Sequence, residues 1–177
     1  IEYAGEPDKR PEYLNDRTSF DAYVQYKMAD GTEGGIGIEV KYTEKEYPLG
    51  GEEKNKIENT SRYHMMTSNS HYYTNDLDIK CFIKDHHLRQ IWRNHILGYS
   101  MMQKGDIQKF HHIHLYPAGN IHFQKKAIPE YKTLLTEKGK NSFIDLTYEE
   151  LFAQMRKHFK TSQQQKWIDY LYDRYLW

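Results

Sequence analysis

The chain has 177 residues, with 25 Lys and Arg against 25 Asp and Glu, so its formal net charge is zero. That balance excludes a polybasic binder of nucleic acid or membranes acting by bulk charge, while leaving room for a local basic face. Aromatic residues make up 15% of the sequence, with 16 Tyr, which offsets a mean hydropathy of −0.95 and excludes disorder throughout.

Cys81 is the only cysteine. An intrachain disulfide is therefore impossible, and a reduced cytoplasmic setting is the default expectation. The sequence contains no apolar run of bilayer length and no signal peptide. Length predicts one domain over residues 1–177. Ile1–Tyr3 reads as a strand cut off at its start, so the chain is expected to be a fragment or the ordered core of a longer protein.

After a polar, proline-bearing loop over residues 8–16, Thr18–Met28 alternates. Phe20, Ala22, Val24 and Tyr26 share one face, and Asp21, Tyr23, Gln25 and Lys27 the other, which predicts a strand. The glycine-rich stretch 29–35 predicts a turn, and Ile36–Thr43 a second strand antiparallel to the first. Residues 44–61 are charged and broken at Pro48-Leu49-Gly50-Gly51, and Ile57–Met66 could form a short helix. Asp85 is a candidate N-cap for a helix to about Gln103. On it Leu88, Ile91, Trp92, His95, Ile96, Tyr99 and Met102 form one stripe, with Leu97 and Met101 opposite, so two faces should be covered. Phe110–Leu115 and Ile121–Phe123 are expected to pair as a second hairpin. Thr147, with Glu150 three residues on, predicts a capped helix to about His158. Thr161 or Ser162 starts a last helix ending near Leu176. The order predicts an α+β fold.

The first hairpin carries the residues with a chemical reading. Asp21 opens one strand. Glu39 and Lys41 lie two apart near the end of the other and so leave the same face. Antiparallel pairing brings Asp21 beside them. Two carboxylates supply hard oxygen ligands to a cation such as Mg²⁺, with the Val40 backbone carbonyl as a further ligand. A neighbouring lysine can orient water and hold an anionic phosphate, so the set suits phosphodiester hydrolysis. The plainer reading of Glu-x-Lys on a strand is a solvated ion pair worth under about 1 kcal/mol.

Asp21 followed by Glu39-Val40-Lys41 across a hairpin resembles the PD-(D/E)xK nuclease superfamily. Three longer strings, Arg17–Tyr23, Glu39–Glu44 and Gln90–Leu97, together resemble a bacterial family assigned as restriction endonucleases within it. The resemblance covers about residues 1–116, a nuclease core, with residues 117–177 as a C-terminal helical extension. It implies a restriction-endonuclease-like mixed central sheet flanked by helices. The core strands would be Ile1–Gly5, Thr18–Met28, Ile36–Thr43 and Phe110–Leu115, and the superfamily's first helix would precede Ile1. It implies that Asp21 and Glu39 bind Mg²⁺, or Mn²⁺ in its place, and that Lys41 positions water. Glu44 would be ancillary. Gln90 would face the site as a catalytic residue, and Arg17, Arg93 and Asn94 would meet the phosphate backbone. A solvated helix face is the plainer reading of Gln90, Arg93 and Asn94. The implied substrate is double-stranded DNA, with a homodimer as the assembly that such enzymes often form.

Two other function classes compete. One is a nuclease fold without catalysis, serving as a DNA-binding or interaction module. The other is a zinc protein, because His112 and His114 share a face of a strand in His111-His112-Ile113-His114 and His122 could join them as a third imidazole ligand. Solvated or hydrogen-bonded histidines are the blander reading. The sequence has no Walker loop, dinucleotide glycine fingerprint or Gly-x-Ser-x-Gly elbow. Finally, zero net charge is a cancellation. Residues 1–60 hold 14 acidic against 8 basic side chains, and residues 61–177 hold 11 against 17. The acidic part contains the proposed metal ligands.

Overall fold

The structure is a computed structural model, and it describes residues 11–44, 61–84 and 86–176. The expected strand at Ile1–Gly5 and the Asp85 N-cap lie outside the described residues.

β1 (Ala22–Lys27) and β2 (Glu33–Val40) form the expected antiparallel hairpin, with Ala22 opposite Ile38 and Lys27 opposite Glu33. Its turn closes through Met28 N–H donating to the Thr32 carbonyl at 2.8 Å and Thr32 N–H donating to the Asp30 carboxylate at 2.9 Å. Gly31 takes φ of +86° there, a left-handed conformation that a side chain would strain. β3 (Lys109–Tyr116) lies parallel to β2, and β4 (Phe143–Thr147) lies parallel to β3. The mixed four-stranded sheet thus has the order β1-β2-β3-β4.

Helices flank this sheet: α1 (Ser61–Ser70), α2 (Lys80–Lys84), α3 (His86–Lys104), α4 (Ile128–Thr133), α5 (Glu137–Ser142), α6 (Tyr148–His158) and α7 (Ser162–Tyr175). One apolar cluster lies on the α3 side, where Phe20, Leu88, Ile91, Trp92, Ile96 and Phe110 are buried. The other lies under α6 and α7, where Leu115, Phe152 and Ile168 pack with Ile38, Val40, Ile113 and Leu146. β3 therefore alternates His112 and His114 toward one layer with Ile113 and Leu115 toward the other, as a strand covered on both faces must. The predicted capping box of Thr147 with Glu150 is present, and of the two candidate starts of the last helix it is Thr161 that caps, in a second box with Gln164.

The expected hairpin of Phe110–Leu115 with Ile121–Phe123 does not form. Residues 117–120 turn through Asn120 N–H donating to the Pro117 carbonyl at 2.8 Å, and Phe123–Ala127 then winds as a π-helical turn into α4. The reason is occupancy. Both edges of β3 are taken, by β2 and by β4, so no backbone partner remains for a returning strand.

The helix over 86–104 matches expectation in its bounds and is covered even more fully than its apolar stripe predicts. Every residue from Ile91 to Met101 is buried. Its polar side chains consequently find internal partners, as buried donors require. Arg89 donates to the Phe82 and Ile83 carbonyls, and Trp92 donates to Thr67 Oγ1 at 3.0 Å. His95 lies between Tyr131 OH at 2.9 Å and Ser142 Oγ at 2.7 Å.

Candidate active site

Asp21 is placed by its neighbour. Phe20 is fully buried, its ring 5.5 Å from that of Phe110, and it lies flat over Gly37, where a Cβ would stand 2.4 Å from the ring. With Phe20 turned inward, the next side chain turns outward and reaches across to β2, where Asp21 Oδ2 accepts from Val40 N–H at 2.7 Å. The first carboxylate is thereby tied to the backbone between Glu39 and Lys41.

Glu39 points the other way, under α3, and is only 2% exposed. Gln90 and Asn94 are one helical turn apart on α3, so both amides face it. Gln90 Nε2 donates to Glu39 Oε1, and Asn94 Nδ2 donates to Oε2 at 2.6 Å. Lys41 Nζ lies 2.7 Å from Oε1, with its side chain 12% exposed. Burial pushes the Glu39 carboxyl up from 4.5 to about 7, against the pull of Lys41 and Asn94, and the negative charge of Asp21 adds to the rise. A buried carboxylate, Glu39, that feels the charge of the solvent-facing Asp21 and is bordered by an ammonium forms a donor set that a hard divalent cation would relieve. The residues present therefore fit a magnesium-type ion. Asp21 and Glu39 are two carboxylates only. Among the described residues no group of three or more His, Cys, Asp or Glu could hold a metal.

Three expected residues take different parts. Arg93, expected at the phosphate backbone, is turned into the interior. It is buried, with Nη2 3.0 Å from Asp16 Oδ2 and Nε 2.9 Å from Thr18 Oγ1. Asn94 is likewise interior, and its partner is Glu39. Glu44 folds back on its own turn, where Oε2 accepts from Tyr42 N–H at 2.7 Å and Thr43 N–H at 3.0 Å. Its own backbone N–H first, then those of Tyr42 and Thr43, hold its carboxyl below the usual range. Gln90 does reach the site, and its own carbonyl oxygen is buried with no hydrogen-bond partner. Arg17 stands exposed on the loop before β1.

The histidines do not gather as three ligands. His112 and His114 are fully buried with ring centroids 6.0 Å apart, but His122 packs edge-on against His87 at 5.3 Å. Desolvation holds His114 neutral and takes His112 down to about 3. All four ring nitrogens of the pair lack hydrogen-bond partners. His114 lies opposite Glu39 in the β2–β3 register and feels the charge of Lys41.

Two residues at the site were not anticipated. Asn120 Nδ2 donates to the Tyr42 carbonyl at 3.1 Å and the Glu44 carbonyl at 3.2 Å, so it holds the segment that follows Lys41. Tyr148 lies where the charges of Glu44 and Asp21 both act on it, and burial first, with those charges, pushes its hydroxyl up to about 12. Asn120 ends the segment between Phe110–Leu115 and Ile121–Phe123, and which part of the chain it would hold was not legible in the sequence.

The sequence model of the family described as the PD-(D/E)XK nuclease superfamily matches residues 1–177. No curated protein and no solved structure matches the chain.

Proposed function

The chain belongs to the PD-(D/E)XK nuclease superfamily, and from that premise we propose that it is a metal-dependent deoxyribonuclease, a restriction-type endonuclease acting on duplex DNA. The observation that carries this reading is the convergence on one strand end of Asp21, Glu39 and Lys41, with Glu39 and Lys41 2.7 Å apart and Asp21 bonded to the residue between them.

Asp21 and Glu39 would hold the cation, with the Val40 carbonyl at the same edge, and Mg²⁺ or Mn²⁺ is the ion class their oxygens suit. When bound, such an ion supplies positive charge against the negative charge that grows on the phosphoryl oxygens. Lys41 carries three N–H donors, one directed at Glu39, leaving the others for a phosphate oxygen or the attacking water. Gln90 and Asn94 hold the Glu39 carboxylate in one orientation, which keeps its lone pairs aimed. The unpartnered Gln90 carbonyl offers an acceptor for a proton of that water. Overall, water's oxygen bonds to phosphorus and the bond to one sugar oxygen breaks. One proton of the water ends on the departing oxygen, which leaves a phosphate monoester and a hydroxyl.

A second reading, a catalytically silent nuclease fold that only binds, draws on the saturation of the site. Both Glu39 oxygens already accept from side chains, and no third acidic group or imidazole joins the pair among the described residues. Plasmid cleavage in Mg²⁺ separates the two. Wild type should nick or linearise the plasmid, and Lys41→Ala and Asp21→Asn should each reduce the rate by at least about a hundredfold, the scale of losing one transition-state donor. Equal rates for all three proteins, or none with either metal, would favour the silent fold.

A further inference from the structure

Beyond the carboxylates, the chain forms an open cavity of about 830 Å³ at the end of the sheet. It lies where the parallel strands β2 and β3 run out, lined by Tyr42 and Thr43 after one and by residues 117–122 after the other. This is the position at which open α/β sheets receive ligands. The far wall is Tyr172 and Tyr175 near the end of α7, 43% and 37% exposed.

The lining has a definite chemistry. Among the described residues its lining includes no Lys or Arg, and the cations Arg156 and Arg174 lie against the Tyr172 and Tyr175 rings at 5.8 and 5.7 Å. Tyrosine rings dominate, and they suit a flat, uncharged, aromatic guest. Glu149 is the one acidic side chain among the described residues of the lining. One of its oxygens accepts from Ala118 N–H at 2.9 Å, and a carboxylate so held keeps lone pairs for an amino group.

The cavity is joined to the catalytic strand by bonds as well as by sequence. Tyr42 directly follows Lys41, and its hydroxyl donates to the Tyr175 carbonyl at 3.2 Å. Asn120, in the lining, holds the carbonyls of Tyr42 and Glu44. Tyr148, within reach of the charge of Asp21, stacks on Tyr175 at 6.0 Å.

We infer that this cavity receives one unstacked nucleobase, stacked on the Tyr172–Tyr175 wall, from a nucleotide next to the phosphate held at Asp21, Glu39 and Lys41. Glu149 favours a base carrying an exocyclic amino group over thymine, because that group offers a carboxylate two N–H donors where thymine offers its single ring N3–H. The inference rests on the proposed nuclease reading for the identity of the polymer, and on the cavity itself for the rest. Its occupant is an extruded base of a duplex or a base of a single strand, since both present the same ring.

The test is binding and photo-crosslinking in EDTA, so that no cleavage enters the readout. Duplex and single-stranded oligonucleotides carrying 5-iodocytosine at successive positions are irradiated with the wild-type protein, and the adducts are mapped by mass spectrometry. The expected adducts are at Tyr172 or Tyr175 from one position in the strand. Tyr175→Ala should weaken binding about 5- to 150-fold, the range for losing one base stack, and Tyr175→Phe should restore it. Adducts confined to other residues, or equal binding by wild type and Tyr175→Ala, would overturn the inference even if plasmid cleavage dependent on Lys41 is present. Adducts at the tyrosines without cleavage in any divalent metal would sustain it while the catalytic reading fell. An absence of any complex would overturn both.

Discussion

Replacing Arg93 decides between its two possible roles, phosphate contact and buried strut. Its guanidinium is 5% exposed and its partner Asp16 is 4% exposed, with 3.0 Å between charged atoms. Asp16 also accepts from Thr18 N–H at 2.8 Å and from the Tyr63 hydroxyl. Arg93→Met removes the cation and leaves a carboxylate in a dry site with only neutral donors. Breaking one side of such a pair costs about 3–5 kcal/mol, a large share of the roughly 5–15 kcal/mol that holds a domain together. For a chain of this length the midpoint of thermal unfolding should fall by roughly 6–20 °C. The double variant Arg93→Met/Asp16→Asn, which leaves no charge buried, should recover part of the loss. Calorimetric or circular-dichroism melts measure this. Oligonucleotide binding to the variant below its melting point provides the second arm. A lost phosphate contact would lower the slope of log K against log salt by about one, whereas a buried strut leaves it unchanged. A loss of stability below about 1 kcal/mol together with a reduced salt slope would refute the assignment.

Deprotonation of Glu39 should oppose folding. Its carboxyl is raised from 4.5 to about 7, so between those values the folded chain holds more protons than the unfolded one, and its contribution declines as pH rises. Wild type minus Glu39→Gln stability, measured by urea melts without metal, should fall by up to about 3 kcal/mol from pH 4.5 to 8, and a flat difference would contradict the burial argument. By the same linkage, the melting-point gain on adding Mg²⁺ should be larger at pH 8 than at pH 5, because the ligand must be ionised; an equal gain would place the ion elsewhere. Buried His112 works in the opposite sense: its ring stays neutral to about 3, so the unfolded chain binds the extra proton and stability drops below pH 6.5. His112→Leu should flatten that acid limb and be neutral or stabilising at pH 8, since two unpartnered nitrogens leave the core; a severe loss would reveal an unseen partner. Gly37→Ala forces a Cβ against Phe20, and about 1–3 kcal/mol of destabilisation with reduced cleavage is expected as Asp21 is displaced; unchanged melting and rate would count against that coupling.

The local signals that proved reliable are those whose cause is local. Thr147 and Thr161 cap their helices because the acceptor and the orphan N–H groups lie within one turn. The β1–β2 hairpin follows from alternation and from a turn that needs a left-handed glycine. Glu39 and Lys41 share a face because a strand has period two, and the salt bridge between them follows. The long helix 86–104 was readable from its apolar spacing.

The failures have one physical origin as well. Ile121–Phe123 has strand-like alternation, yet whether a segment pairs depends on free edges, and β4, arriving from residues 143–147, had already taken the edge of β3. The polar residues of α3 were readable as an outward face only while the helix was assumed to have one. With α1, the loop before β1 and the sheet all packed around it, Arg93, Asn94 and His95 turn inward and must be satisfied by groups 30 to 77 positions away in sequence.

The sequence by itself therefore determined the chemical inventory: two carboxylates and a lysine at hairpin spacing, enough to point to the superfamily and to an ion of the magnesium type. Only the tertiary structure decided how that inventory is held. It sealed Glu39 under Gln90 and Asn94, sent Arg93 into the core, kept the histidines apart as ligands, and set tyrosines from the last helix around the end of β2. Strand period and capping are properties of neighbours along the chain, whereas burial, and with it the shifted proton affinities of Glu39 and His112, is a property of what arrives from elsewhere.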